Sequence, residues 1–175
     1  MRWKGQLGSL MQTFVINQLN AEKITIHESG IYSVEITKEG AHAEIVGMFE
    51  TKGNEVIDVE ILITHKVPHT TANTTLKGVA RDKSKIRFLG RIIIEKGCGD
   101  TNSFLEERIL LLSDQAKAEA VPELEILADD VKCSHAATIS SIPKEHLFYL
   151  QSRGLSKIKA EELIVEGFLT PYATA

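Results

Sequence analysis

From Ile24 to Ile139 apolar residues recur mainly with period two, interrupted every several residues by Gly, Asn, Asp or Lys, and β-branched residues are frequent. That pattern predicts a strand-rich region. Ile57, Val59, Ile61 and Ile63 share one face while Asp58 and Glu60 share the other, because successive side chains of a strand point to opposite sides. One face of such a strand is buried and the other is wet. Similar runs stand at Tyr32, Val34 and Ile36, at Ala41, Ala43 and Ile45, at Ile92 and Ile94, and at Leu110 and Leu112. Turn signals fall at Gly30, Gly40, Gly53, Gly90 and Gly97-Cys98-Gly99. Many short strands with frequent turns fit a sandwich, a barrel or a coiled solenoid, and without a strict repeat of fixed length the periodicity does not choose among them.

The pattern changes after Ile139. Pro143 stands where a helix starts, Leu147, Phe148 and Leu150 follow, and Gly154 is placed to close it. Ser156 reads as the N-cap of a second helix, with Ala160, Leu163, Ile164 and Phe168 on one stripe and Gly167 as its terminator. The expected organisation is a β core over residues 1–140 and a helical region over 141–175, ending in a frayed tail from Thr170 to Ala175.

Length and composition narrow the class. A chain of 175 residues, 43% hydrophobic and 25% charged, can bury a core of its own and reads as one main globular domain. A net charge of -4 excludes a broad phosphate-binding surface, and with it nucleic acid as a partner. No apolar run approaches the roughly 20 residues of a membrane span, and Met1-Arg2-Trp3-Lys4-Gly5 does not open like a signal peptide, so the chain reads as cytoplasmic. Cys98 and Cys133 lie far apart with no Cys-x-x-Cys spacing and read as free thiols. The phosphate loop, the Gly-x-Ser-x-Gly elbow and the His-Glu-x-x-His zinc motif are all missing, so the chain reads as a non-enzyme whose ATP chemistry, if any, comes from a partner.

The segment with most chemical content is Val131 to Ile139. Val131, Cys133, His135, Ala137 and Ile139 alternate with Asp130, Lys132, Ser134 and Thr138, which puts Cys133 and His135 on one mostly apolar face. Two residues along a strand span about 6–7 Å, within reach of one soft metal ion such as iron or zinc. The same pair reads equally as a small core hydrophobe beside a buried, hydrogen-bonded histidine. His65 and His69 flank a Lys-Val-Pro turn, and Pro68 rules out a helical metal pair. A zinc hydrolase built from His65, His69 and His135 lacks a placed general base, and His27, His42 and His146 have weaker claims. Asp129-Asp130 reads as a solvated turn, and Glu107-Arg108 as an ordinary surface ion pair.

The stretch Pro122 to His135, PELEILADDVKCSH, resembles the SufB/SufD family. Residues 147–154, LFYLQSRG, resemble that family's LFYLxSRG motif at the proper distance, and Leu110-Leu111-Leu112-Ser113-Asp114 and Gly90-Arg91-Ile92 resemble earlier parts of the same framework. The resemblance covers roughly residues 40–169 and is closest to SufD-like members, since Ala136 stands where SufB relatives carry Glu after the histidine. It implies a right-handed parallel β-helix, truncated relative to full-length members, with a small C-terminal helical region. It also implies a place in a SufBCD-type complex: a scaffold or accessory subunit that pairs with a SufB/SufD-type partner or a second copy of itself as a homodimer. Leu147, Tyr149, Arg153 and Leu163 on the helices are then the candidates for docking a SufC-type ABC ATPase. His135 and Cys133 align with the family's Cys-Ser-His segment and become candidate ligands of a transient iron–sulfur cluster at the subunit interface. The competing expectation is a purely structural interaction subunit that binds no cluster.

Overall fold

The alternation seen at Ile57 to Ile63 extends into ten strands, all paired in parallel. A computed structural model describes residues 11–170; Met1 to Gly5 and the Pro171–Ala175 end of the tail lie outside them. The strands are β1 (Gln12–Ile16), β2 (Glu22–Ile26), β3 (Gly30–Ile36), β4 (His42–Thr51), β5 (Val56–His65), β6 (Thr71–Ala80), β7 (Lys85–Ile94), β8 (Asn102–Leu111), β9 (Lys117–Ile126) and β10 (Lys132–Ser141). Odd-numbered strands form one sheet in the order β1-β3-β5-β7-β9, and even-numbered strands form the other in the order β10-β8-β6-β4-β2. Each coil of chain therefore lays one strand in each sheet before rising one level, which makes a parallel β-solenoid.

Stacked groups recur 29, 31 or 32 residues apart, as in the Arg87–Asp58, His69–Asp100 and Arg91–Glu123 pairs. The repeat lies in backbone geometry more than in residue type. At one corner the residue two before each sheet strand is left-handed in four successive coils, Gly40 at φ 78°, His69 at 56°, Asp100 at 51° and Asp130 at 55°. Only the first is the glycine that such a φ favours; the polar residues accept the strain at a turn. Asp130 is thus the turn residue that the sequence predicts.

Inward positions form ladders along the axis. Ile45, Thr74, Leu105 and His135 are successive register partners, as are Gly47, Leu76, Glu107 and Ala137, and Ala43, Ala72, Ser103 and Cys133. On the opposite wall Val34, Ile63, Ile92 and Leu124 stack in the same way. The buried apolar side chains, among them Ile61, Phe88 and Ile94, each remove enough surface from water to contribute about 1.5–3 kcal/mol. The lumen is filled to contact: a Cβ on Gly90 would lie 2.5 Å from Leu105 Cδ2 and 2.7 Å from Glu107 Oε1, so a larger residue there would force those two side chains to shift.

Two helices follow, α1 (Lys144–Ser152) and α2 (Lys157–Leu169). Pro143 is the N-cap of α1 and Gly154, at φ 91°, lies just beyond its C-cap Arg153. The Ser156 side chain accepts a hydrogen bond from the Lys159 amide at 3.3 Å, as the capping reading requires. Gly167 does not end the second helix, which runs on to Leu169, because Thr170 takes over as C-cap with its amide bonded to Glu166 O. The buried stripe also differs from expectation: Ala160 and Val165 are the buried residues of α2, and Leu163 points outward. Val165 packs against Val79 and Leu110 on the outer face of the even sheet, with Ile164, Phe168 and Leu169 beside it.

Lys77 fixes the end of this helix. It is nearly inaccessible, and its ammonium donates to Thr170 O at 3.0 Å while lying 5.8 Å from the centroid of the Phe168 ring. A cation at the carbonyl end of a helix also opposes the helix dipole. Lys77→Met is expected to cost about 1.5–3 kcal/mol, the range for hydrogen bonds to charged groups. Amide hydrogen exchange is the check: protection should fall over Ile164–Leu169 while the strands keep theirs.

Candidate functional site

Cys133 and His135 lie on β10, two residues apart on the face that continues the inward ladders. The sequence reading of an extended segment with both groups on one side therefore holds. Their environment is more open than a core position, because among the described residues no strand pairs with the outer edge of β9 or β10. Cys133 is half-buried and His135 exposed. The top of the lumen is a mouth rimmed by Leu124 and Ile126 from β9 and Ile139 from β10, each exposed by 37–44% although it sits in register with a fully buried residue one level below. Burial pushes the Cys133 thiol above its ordinary value, so it is protonated until a ligand replaces the proton.

One level below, Ser103 is the register partner of Cys133 and belongs to a buried polar cluster. His65 is fully buried, with Nδ1 2.8 Å from Thr70 Oγ1 and Nε2 3.0 Å from Ser103 Oγ. The Thr70 hydroxyl donates to Val67 O at 3.3 Å, which leaves Nδ1 as the imidazole donor and Nε2 as acceptor from Ser103. Desolvation lowers the His65 pKa from 6.5 to about 4, so it is neutral at physiological pH. Cys98 is buried beside it and donates to His65 O at 3.4 Å.

His69 is separated from this cluster. It is exposed at the corner, where Nδ1 lies 2.9 Å from Asp100 Oδ2, and that hydrogen bond raises its pKa. His65, His69 and His135 are not brought together, and among the described residues no three His, Cys, Asp or Glu side chains are gathered tightly enough to hold a metal ion. The zinc hydrolase reading has no geometric support.

Glu107 is the correction with most chemical weight. The sequence reading makes it half of a surface ion pair, but it points inward from β8 and is fully buried. Both carboxylate oxygens lack any hydrogen-bond partner, and desolvation raises the pKa from 4.5 to about 8. Strict alternation from Ser103 through Leu105 to Ile109 is the signal that places it inside; the run Glu106-Glu107-Arg108 hides that signal by resembling a wet turn.

The docking candidates divide between two places. Tyr149 and Arg153 are neighbours on one face of the first helix, with the Arg153 guanidinium 5.3 Å from the Tyr149 ring centroid. Tyr149, Phe148 and Ile158 are exposed by 57%, 74% and 69%, and Leu163 is exposed on α2. Leu147, with Phe148, lines a groove shared with Leu111, Leu112 and Ile142.

Residues 15–168 match the family model described as SUF system FeS cluster assembly, SufBD core domain. An iron–sulfur cluster assembly SufBD family protein of Synechocystis sp. is 34% identical over 131 residues, covering 75% of this chain and 29% of the relative. One of Mycobacterium tuberculosis is 30% identical over 151 residues, covering 86% of this chain and 18% of the relative. One of Staphylococcus saprophyticus is 29% identical over 134 residues, covering 77% and 29%. The chain thus spans less than a third of the length of these relatives. No helix among the described residues is long and apolar enough to cross a membrane. With its parallel solenoid and the match over nearly all of its described length, the chain belongs to the SufBD family of iron–sulfur cluster assembly proteins.

Proposed function

We propose that this chain is a non-catalytic scaffold or accessory subunit of a SufBCD-type complex in the cytoplasm, SufD-like in character, with Cys133 and His135 donating to a transient cluster at a subunit interface. The observation that carries the reading is the open mouth: a thiol and an imidazole stand together on an edge strand, rimmed by Leu124, Ile126 and Ile139. An unpaired strand edge with an apolar rim favours pairing with another chain. A SufB/SufD-type subunit or a second copy fits that edge, and the partner supplies the ligands that this chain alone does not gather. Thiolate and imidazole are both apt for iron.

The exposed side chains of the two helices, Tyr149 and Arg153 on the first and Leu163 on the second, support docking of a SufC-type ATPase, and Leu147 in the neighbouring groove completes the candidate set. The test is anaerobic cluster reconstitution with SufB-type and SufC-type partners, wild type against His135→Ala. We expect loss of most of the cluster with the complex intact; equal yields would remove His135 from the ligand set.

The second reading, an interaction subunit that binds no cluster, draws on the breadth of the exposed helical surface. It predicts that Arg153→Glu, measured by pull-down of the ATPase, abolishes docking while His135→Ala leaves every activity of the complex unchanged.

A further inference from the structure

Between α1 and the last corner of the solenoid lies a groove of about 860 Å³. Its floor is apolar, with Leu111 and Leu112 at the end of β8, Ala116 before β9 and Ile142 after β10. From α1 the lining residues are Lys144, Leu147, Phe148 and Gln151, which stand at i, i+3, i+4 and i+7 and so form one stripe of the helix. By the helical turn, Tyr149 and Arg153 fall on the opposite side. Phe148 lines the groove and is nonetheless 74% exposed, so the stripe is aimed at the floor without resting on it. Packed elements rarely leave such a space, because protein interiors are filled to contact. A cavity of about 150 Å³ holds a benzene ring, so the groove has room for Phe148 and Leu147 together.

The helix is held loosely enough to cross that space. Its 9 residues are fewer than the roughly 12–15 that a helix needs to persist in water without tertiary support. That support is slight: α1 has no buried residue, its N-cap Pro143 makes no side-chain bond, and its last turn carries no basic residue to oppose the dipole. Its main packing neighbour is α2, which is itself fixed to the even sheet through Val165 and Lys77. Both ends of α1 are joints. Pro143 is extended, and Gly154 sits at φ 91°, where a Cβ would meet nothing within 4 Å. A helix between two such joints can roll toward the floor while α2 stays in place.

We propose that α1 is a strap that closes onto this groove, seating Phe148 and Leu147 on Leu111, Leu112 and Ile142, and that closure withdraws the helical docking surface. Removal of exposed apolar side chains from water drives the movement, against the entropy lost in ordering the joints. Asp114 also lines the groove and gives Lys144, on the same stripe, an opposite charge to approach. Tyr149 and Arg153 ride on α1 while Leu163 rides on α2, so closure changes the spacing of these three residues. The open position also exposes Phe148 as a large apolar contact, so it is the position that docks. The apparent affinity of a partner bridging both helices then scales with the open fraction. Closure stands on the groove alone; its effect on docking rests on the reading of Tyr149, Arg153 and Leu163 as a docking surface.

Tryptophan fluorescence reads the strap. Trp3 is the single tryptophan of the chain, so a Trp3→Phe, Phe148→Trp chain carries one reporter on the stripe. We expect two emitting populations under acrylamide quenching, one accessible and one shielded at least fivefold. Ser141→Arg tests the groove itself: Ser141 is exposed and lines it, so arginine there fills the space without entering the core. Thermal melts confirm that the variants fold. The shielded population should disappear with Ser141→Arg. A reporter that is fully accessible without that change, or a shielded population that survives it, would overturn closure. Titration of the SufC-type ATPase into wild type and Ser141→Arg tests the second half, with the variant expected to bind more tightly by the inverse of the open fraction. Equal affinity would overturn the effect on docking and leave closure standing. Failure of both chains to bind would overturn the docking reading and that effect together, with closure still judged by quenching.

Discussion

Glu107→Leu is expected to raise the melting temperature, with the gain growing from acid to alkaline pH. The side chain is fully buried among Leu76, Leu105 and Ile109, so leucine keeps the volume and removes two acceptors that nothing satisfies. Even in its neutral form an unmet buried polar group costs about 1–3 kcal/mol. The pH dependence adds to this. A carboxyl at about 8 in the folded state and 4.5 when unfolded holds its proton longer in the native protein. The stability from that proton is complete below 4.5 and is lost as pH rises through 8, at up to about 1.4 kcal/mol per pH unit. Across the window the ceiling is about 5 kcal/mol, lowered by whatever freedom the ionised carboxyl has to reach water at the mouth. Melts from pH 5 to pH 9 test this. A leucine variant less stable than wild type at pH 9 would show that Glu107 has native partners after all.

The solenoid was legible in pieces. Alternation at Ile57 to Ile63 and at Val131 to Ile139 shows strands and assigns their faces, because a half-buried strand forces period two. The stacking was not legible from periodicity, since equivalent corner positions hold Gly40, His69, Asp100 and Asp130, and equivalent lumen positions hold Gly47, Leu76, Glu107 and Ala137. A solenoid needs each ladder to fill its space, and one large residue can be offset by a small one on the opposite wall, as at Gly90 against Leu105 and Glu107. Family motifs supplied the architecture that residue patterns left open.

Within the candidate site, the strand pattern placed Cys133 and His135 on a common face. It could not show that this face is the uncovered end of a lumen, which depends on where the neighbouring strands stop. Nor could it show the buried His65 cluster one level down. His65 is an inward residue at the end of β5, but its partners Thr70 and Ser103 come from the next corner and from β8, 38 residues further on in the case of Ser103. Contacts of that range leave no local signature.

His65→Leu is the second substitution with a large expected effect, and its pH dependence runs opposite to that of Glu107. At pH 7 the loss is that of a buried hydrogen-bonded pair: Ser103 and Thr70 each lose a partner, and an unmet hydroxyl costs about 1–3 kcal/mol. At acid pH the wild type weakens through the histidine itself. A base at about 4 in the fold and 6.5 when unfolded binds its proton more readily in the unfolded chain. The stability is therefore present above 6.5 and lost as pH falls toward 4, by up to about 1.4 kcal/mol per unit. Between 4.5 and 6.5 the two slopes oppose each other, so wild-type stability contributed by this pair should be nearly flat there, falling above 6.5 through Glu107 and below 4.5 through His65. Urea unfolding at half-unit pH steps separates them: His65→Leu should lose the acid limb and turn the plateau into a continuous fall from 4.5 to about 8, whereas Glu107→Leu should lose the alkaline limb and leave stability rising from about 4 to 6.5 and level above. An unchanged acid limb in His65→Leu would mean that the buried imidazole is not what proton uptake on unfolding reports, and the neutral, doubly bonded His65 described above would have to be abandoned.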